Sequence, residues 1–382
     1  MPAGDLVLRI LYVGPAANLP ADLVGYIVDL GDDWHVDTVA DGNTAIALLS
    51  SQVVDVILVA PALPDITPSA LLGQARTLRP ETIRIALIAP SSSHSSPPPR
   101  IIGVAHRFLP LPLSPEMLLE AVTSIEELRD LLDNERLRDT IGRIEKLPSP
   151  PSLYLRLSRA LEQDENADIG EIARLVAGDP AIAAKVLQLC NSAYFSSGRI
   201  ISDLRTAINR LGLSTLRDLV LFSEVFSMPR LSQMDYHAMQ HRALLASRMA
   251  AKILPGTSAE LGSTAALLAD IGLLLPGVRN EHAPIDSDPG VTPVAGHTEA
   301  GAYLLGLWGL PMPIVEAVAF QRTPARSNAR SFWVTGAVHV AVAMTSGEPV
   351  DEAYLARVGV LGQLPAWAAQ HAELAAMPAG NF

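Results

Sequence analysis

The stretch Thr264-Ala-Ala-Leu-Leu-Ala-Asp-Ile-Gly-Leu-Leu-Leu-Pro276 sets one carboxylate, Asp270, in an almost unbroken apolar helical run. A buried acid is costly unless a metal, a helix end or a basic partner takes up its charge. The same half of the chain holds His237, His241, His282, His297 and His339. Imidazole and carboxylate together are the components of a binuclear hydrolase site, where two metals clamp a phosphodiester and a bridging hydroxide attacks. Such a site needs about four or more inward-facing donors. Here Ala269 precedes Asp270, the histidines have no close ligand pair, and the helix "IVEAVAFQ" ends on Phe320 and Gln321. His282, beside Glu281, reads as a solvated loop residue, and His297 as a helix-start or core histidine. The donor set is therefore too small for catalysis, and no metal or other cofactor is expected.

A second place for chemistry is the rim of a predicted sheet. Apolar or alternating runs "LRILYV", "WHVDTVA", "VDVILVA", "IRIALIA" and "HRFLPLP" alternate with helical patterns from residue 8 to residue 131. That fivefold alternation predicts a doubly wound α/β domain with a five-stranded parallel sheet. One unit is damaged: Pro97, Pro98 and Pro99 leave a short helix or none. Ligands collect at the carboxyl ends of such strands. Those ends present Gly14 and Pro15, Ala60 and Pro61, Ile88 and Ala89, then Pro110 and Leu111. With no carboxylate cluster, hydroxyl or lysine, this rim has nothing to hold Mg²⁺.

Beyond a charged helix and the break "KLPSPPS", the periodicity is helical throughout. Asp179 caps a helix that opens on Pro180 and carries the lone Cys190 in the apolar "AAKVLQLCN", which reads as a buried structural thiol. Further helices are predicted at 236–254, 259–274, 297–308, 313–319 and 331–344, with two short ones after 345. The domains are then 1–125, a helical linker over 126–147, an all-α domain over 148–345 and a C-terminal helical extension over 346–382.

Composition narrows the partners. The chain of 382 residues is 49% hydrophobic, 18% charged and carries a net charge of −12, so it can fill real cores. Residues 1–120 hold 12 acidic and 6 basic groups, and the rest 28 and 22, so neither half is a cationic surface for nucleic acid or anionic lipid. The hairpin "AINRLGLSTLRDLVL" imitates a helix-turn-helix, but Arg217 is followed by Asp218 and Glu224, which favours packing over DNA. No leader pattern or membrane-length apolar run is visible, and the expected location is cytoplasmic.

Two resemblances sharpen these expectations. Through "DGNTAIALL", "DVILVAPALPD" and "HRFLPLP", residues 6–125 resemble the receiver domain of bacterial response regulators. The resemblance implies an acidic Mg²⁺-binding pair at Gly14 and Pro15, a phosphoacceptor Asp at Ala60, a hydroxyl at Ile88 and a lysine at Leu111. Only Pro112, after that lysine position, is kept, so a pseudo-receiver that cannot be phosphorylated is expected, with Asp65 a turn acid. Through "IARLVAGDPAIAAKVLQLCNSAYF", "AALLADIG" and "GHTEAGAYLLGLWGLP", residues 145–345 resemble the HDOD domain, a non-catalytic relative of the HD metal-dependent phosphohydrolases. There the first histidine matches His241 and the His-Asp pair matches Ala269 and Asp270. His241 and Asp270 are accordingly a residual single-metal site or a hydrogen-bonded buried pair, or else Asp270 accepts from nearby backbone amides. The expected function is a signalling adaptor or regulator that acts through protein contacts, a second copy of itself included. The alternatives are a metal-dependent phosphohydrolase and a sensor of a small ligand such as a nucleotide second messenger.

Overall fold

β-Branched and leucine-rich runs pair in parallel to build the first unit. Strands β1 (Leu8–Val13), β2 (Trp34–Val39), β3 (Val56–Val59), β4 (Ile83–Ile88) and β5 (Arg107–Pro110) form one sheet in the order β2-β1-β3-β4-β5. β1 lies between β2 and β3, with Val13 opposite both Val39 and Val59. This is the order of flavodoxin-like and CheY-like sheets, whose ligand crevice lies where β1 meets β3. The computed structural model describes residues 8–20, 34–89, 99–132, 134–144, 169–192, 201–223, 236–282, 295–327 and 331–376. The helices expected over 18–30 and in "LYLRLSRALEQ" lie mostly or wholly outside those residues.

Helices alternate with the strands as the periodicity requires. α1 (Gly42–Ser51) is capped by Asp41, which accepts from the Thr44 amide at 2.8 Å. α2 (Pro68–Leu78) is capped by Thr67, and α4 (Pro115–Leu131) by Ser114 with Pro115 in its first turn. Between them α3 (Pro99–Ile102) has only four residues, as the proline run requires. Asn134 caps α5 (Glu135–Gly142).

Every residue of β4 is buried, Arg84 included. Among the described residues no carboxylate is bonded to its guanidinium, which donates to the carbonyls of Val104 at 2.8 Å and Gly142 at 3.1 Å and faces His106 Nε2 at 2.8 Å. Burial pulls its pKa down to about 9. Through Gly142 this arginine ties the end of α5 to the sheet, and Gly142 has no room for a side chain, since a Cβ would overlap the Pro80 carbonyl. The first compact unit comprises residues 1–145 with two short later segments, 191–199 and 307–309, and the rest of the chain forms the second.

That second unit is helical: α6 (Ile169–Ala177), α7 (Pro180–Asn191), α8 (Leu204–Ser223), α9 (Tyr236–Ile253), α10 (Thr257–Leu267), α11 (His297–Leu307), α12 (Met312–Phe320), α13 (Val334–Ser346), α14 (Glu352–Arg357) and α15 (Leu364–Ala375). The amides of Ala181 and Ile182 donate to Asp179, the expected cap. Cys190 is fully buried and its thiol is pushed up to about 11 by that burial. α8 is two helical pieces broken at Gly212, whose φ of 78° is left-handed.

One expected helix is shorter than its pattern. The run 259–274 does not continue through Asp270: α10 stops at Leu267, and Ile271–Leu274 forms a 3₁₀ turn. The break lets this segment press against the start of α11. A Cβ at Gly272 would overlap the His297 carbonyl, and the Gly301 amide lies close by. Apolar periodicity records burial on all sides but not the backbone contact that stops the helix.

Candidate functional site

At the first unit's rim, backbone bonds extend the ladder one residue past the strands. The amide of Gly14 donates to Val39, that of Ala60 to Val13 and that of Leu111 to Ile88, at 2.8, 2.9 and 2.9 Å. Parallel pairing therefore brings Gly14, Ala60, Ile88 and Leu111 to one edge, with Pro15 next to Gly14. Tyr12 is fully buried beside them, its hydroxyl donating to the Pro15 carbonyl at 2.9 Å. Burial raises its pKa, against a hydrogen bond with Asn18. Gly14 has φ +145°, and a Cβ there would overlap that of Ala60 and crowd the Tyr12 hydroxyl. A side chain at 14 has no room while Tyr12 and Ala60 hold these positions.

Asp65 has another task. Its two carboxylate oxygens accept from the Gly42 and Asn43 amides at 2.9 and 2.8 Å, at the positive end of α1. The Gly42 bond leads in holding its carboxyl below the ordinary carboxylate value.

In the second unit, the break after α10 aims Asp270 into a charged cluster. Asp270 is 7% exposed, and its Oδ1 accepts from His282 Nε2 at 2.9 Å. The other ring nitrogen of His282 faces Glu348 Oε1 at 2.6 Å, and Arg322 pairs with the same carboxylate. Arg242 approaches Asp270 Oδ2 at 3.8 Å. The result is a chain of alternating charge: Arg242, Asp270, His282, Glu348, Arg322. Burial opposes the charge on Asp270, but the His282 bond and the His297 ring beside it outweigh that penalty and hold the carboxyl far below its usual range. Burial likewise opposes charging His282, and Asp270 and Glu348 together overcome it, so its pKa is raised.

His297, the first residue of α11, is fully buried, as its reading as a helix-start or core histidine expected. Its Nδ1 accepts from the Glu281 amide at 3.1 Å, and its Nε2 faces Asp270 Oδ1 at 3.5 Å, beyond a good hydrogen bond. His282 is not the solvated residue its loop position suggested. Its side chain is 14% exposed, because the fold brings Asp270 and Glu348 to its two nitrogens. His241 sits exposed on α9, and it is the next residue, Arg242, that reaches Asp270. Ala269 is buried, and its carbonyl accepts from Gln321 Nε2 at 2.7 Å. His339 bonds the Gln321 carbonyl through Nδ1 and accepts the Asp351 amide at Nε2, which fixes it as a neutral structural histidine. The side chain of His237 lies outside the described residues.

Among the described residues, Asp270, His282 and His297 bring donor atoms within 4.8 Å of one another and could hold a metal. Hydrogen bonds within the chain involve donor atoms of the same three residues. With Nδ1 accepting an amide proton, neutral His297 carries its own proton on Nε2 and has no lone pair there for a cation. His282 lies between the Asp270 and Glu348 carboxylates, which raise its pKa, and Arg322 Nη1 lies 3.0 Å from its Nδ1. Sequence spacing concealed this set: His282, Arg322 and Glu348 come from loops and helix ends, and nothing in their local pattern marks them.

Residues 147–284 match the model of the HDOD domain. An uncharacterized protein of Treponema pallidum (strain Nichols) is 25% identical over 200 residues, which span 47% of this chain and 38% of that one. Among solved structures, the MmoQ response regulator of Methylococcus capsulatus aligns at 22% identity over 57% of this chain and 97% of its own, with a TM-score of 0.44. A virulence factor of Campylobacter jejuni aligns at 18% over 62% and 97%, with a TM-score of 0.47. The N-terminal unit is receiver-like in its sheet order, and residues 147–284 are similar to the HDOD domain.

Proposed function

We propose that this chain is a non-catalytic signalling adaptor or regulator that acts through protein contacts, with a receiver-like domain that does not accept a phosphoryl group. One observation carries the reading: the acid that could be proposed for each reaction centre already has hydrogen-bond or ion-pair partners within the chain. Asp65 holds the α1 N-terminus with both oxygens, and Asp270 is held by His282 and Arg242. An acyl-phosphate acceptor needs a free carboxylate beside Mg²⁺ ligands, and the rim residues Gly14, Pro15, Ala60, Ile88 and Leu111 provide neither. Incubation with acetyl phosphate and Mg²⁺ should leave the intact mass unchanged, and a phosphoryl adduct on Asp65 would refute the proposal. Co-purification at native abundance should return a stoichiometric protein partner or a second copy of the chain.

Convergence of Asp270, His282 and His297 favours a second reading, a metal-dependent phosphohydrolase. That reading requires the His297 proton to move to Nδ1, where Glu281 Oε2 lies at 3.3 Å. Stoichiometric Zn, Mn or Fe in protein purified without chelator, lost in Asp270→Ala, would establish it over the first.

A further inference from the structure

A cleft of about 340 Å³ opens in the helical unit between α6, the start of α8, α9 and α10, apart from the Asp270 cluster. It exists because its walls are small: Ala173 and Ala177 on α6, Ala251 on α9 and Ala259 on α10 leave the space that longer side chains would fill. Its size lies at the lower end of small-molecule sites, roughly 300–1,000 Å³.

Several polar groups around it are already spent. The Thr264 hydroxyl donates to the Ser202 carbonyl, pinning α10 to the start of α8, and Asp203 accepts from the Thr206 amide at 2.7 Å as a helix cap. On the floor, Ser247 and Ser263 share one hydrogen bond of 2.8 Å, and such a hydroxyl pair keeps one proton to donate. Among the described residues, Arg174 bonds through its Nε to the Gly170 carbonyl, leaving both terminal nitrogens. Among the described residues, neither Arg205 nor Glu260 has a hydrogen-bond or ion-pair partner, although both line the same cleft. Two guanidinia and a hydroxyl thus stand ready for an anionic group, with the Glu260 carboxylate and the second oxygen of Asp203 ready for a cationic one. No aromatic side chain lines the cleft to stack a base.

We infer that this cleft binds a small amphoteric molecule of the free amino-acid class, its carboxylate on Arg174 and Arg205 and its ammonium on Glu260. Guanidinium pairs bind carboxylates through paired, charge-assisted hydrogen bonds, and the alanine walls accept a short side chain. The site extends the regulator reading by giving the helical unit a ligand, and it stands whether or not a protein partner is found.

Thermal melting and titration calorimetry of the full chain with each common amino acid test it, with acetate, inorganic phosphate and guanosine monophosphate as comparators. At least one amino acid should raise Tm saturably below concentrations on the order of 10 mM. Arg205→Gln and Glu260→Gln, both at exposed positions, should keep the unliganded Tm and bind about tenfold more weakly. Ala251→Leu should abolish binding by filling the cleft. The inference is overturned if no amino acid binds, if Arg205→Gln binds as tightly as the wild type, if Ala251→Leu still binds, or if a comparator binds equally well.

Discussion

At the scale of single residues, the decisive feature is how charge is settled inside the protein. Asp270 could have been a metal ligand, a helix cap or an ion-pair partner, and the fold makes it the acid of a histidine bridge. Removing His282 leaves the nearly buried Asp270 carboxylate with Arg242 at 3.8 Å as its nearest cation. His282→Ala should therefore cost about 2–3 kcal/mol, read by urea unfolding. The same pair gives stability a pH signature. Asp270 has a lowered pKa, so its contribution is present above the ordinary carboxylate value and is lost as pH falls through its folded value. His282 has a raised pKa, so its contribution is present below the ordinary imidazole value and is lost as pH rises through its folded value. The difference in stability between the wild type and His282→Ala should be largest between about pH 4 and 6.5 and should shrink on the alkaline side. A difference that stays flat from pH 5 to 9 would show that His282 carries no charge in the bridge.

At the scale of elements, backbone contacts decide where helices and strands stop. The cap Asp179 was legible because its side chain acts on amides two and three residues away, and Asp41 and Ser114 cap their helices in the same local way. The early end of α10 was not, because its cause lies at His297, far along the chain. Gly272→Ala would drive a methyl group into the His297 carbonyl and should destabilise the helical unit by about 3 kcal/mol or more. Gly362→Ala, with nothing within 4 Å of its Cβ, should melt as the wild type does. At the rim, Gly14 combines a positive φ with Ala60 and Tyr12 in van der Waals contact, so Gly14→Ala should cost about 1–3 kcal/mol in the same measurement. Rebuilding the acidic pair there would require replacing Tyr12 as well.

At the scale of the whole molecule, the first unit reaches residue 145 because Arg84 needs the Gly142 carbonyl. A fragment of residues 1–145 should unfold cooperatively, and one ending at 132 should be less stable by about 1–2 kcal/mol, since a buried guanidinium loses an acceptor. Equal urea midpoints for the two fragments would remove α5 from that unit. The sequence by itself determined the order of strands and helices, the parallel sheet and the helical second unit. Hydrophobic periodicity and capping are local, and the chain cannot satisfy them in another way. It also determined which residue types stand at the strand ends, Gly14 to Leu111. Tertiary structure alone decided that Asp270 meets His282 rather than His241, that Glu348 and Arg322 complete the bridge, and that four alanines on α6, α9 and α10 border a cleft. Those groups are separated by tens of residues, and only the path of the backbone sets which of them meet.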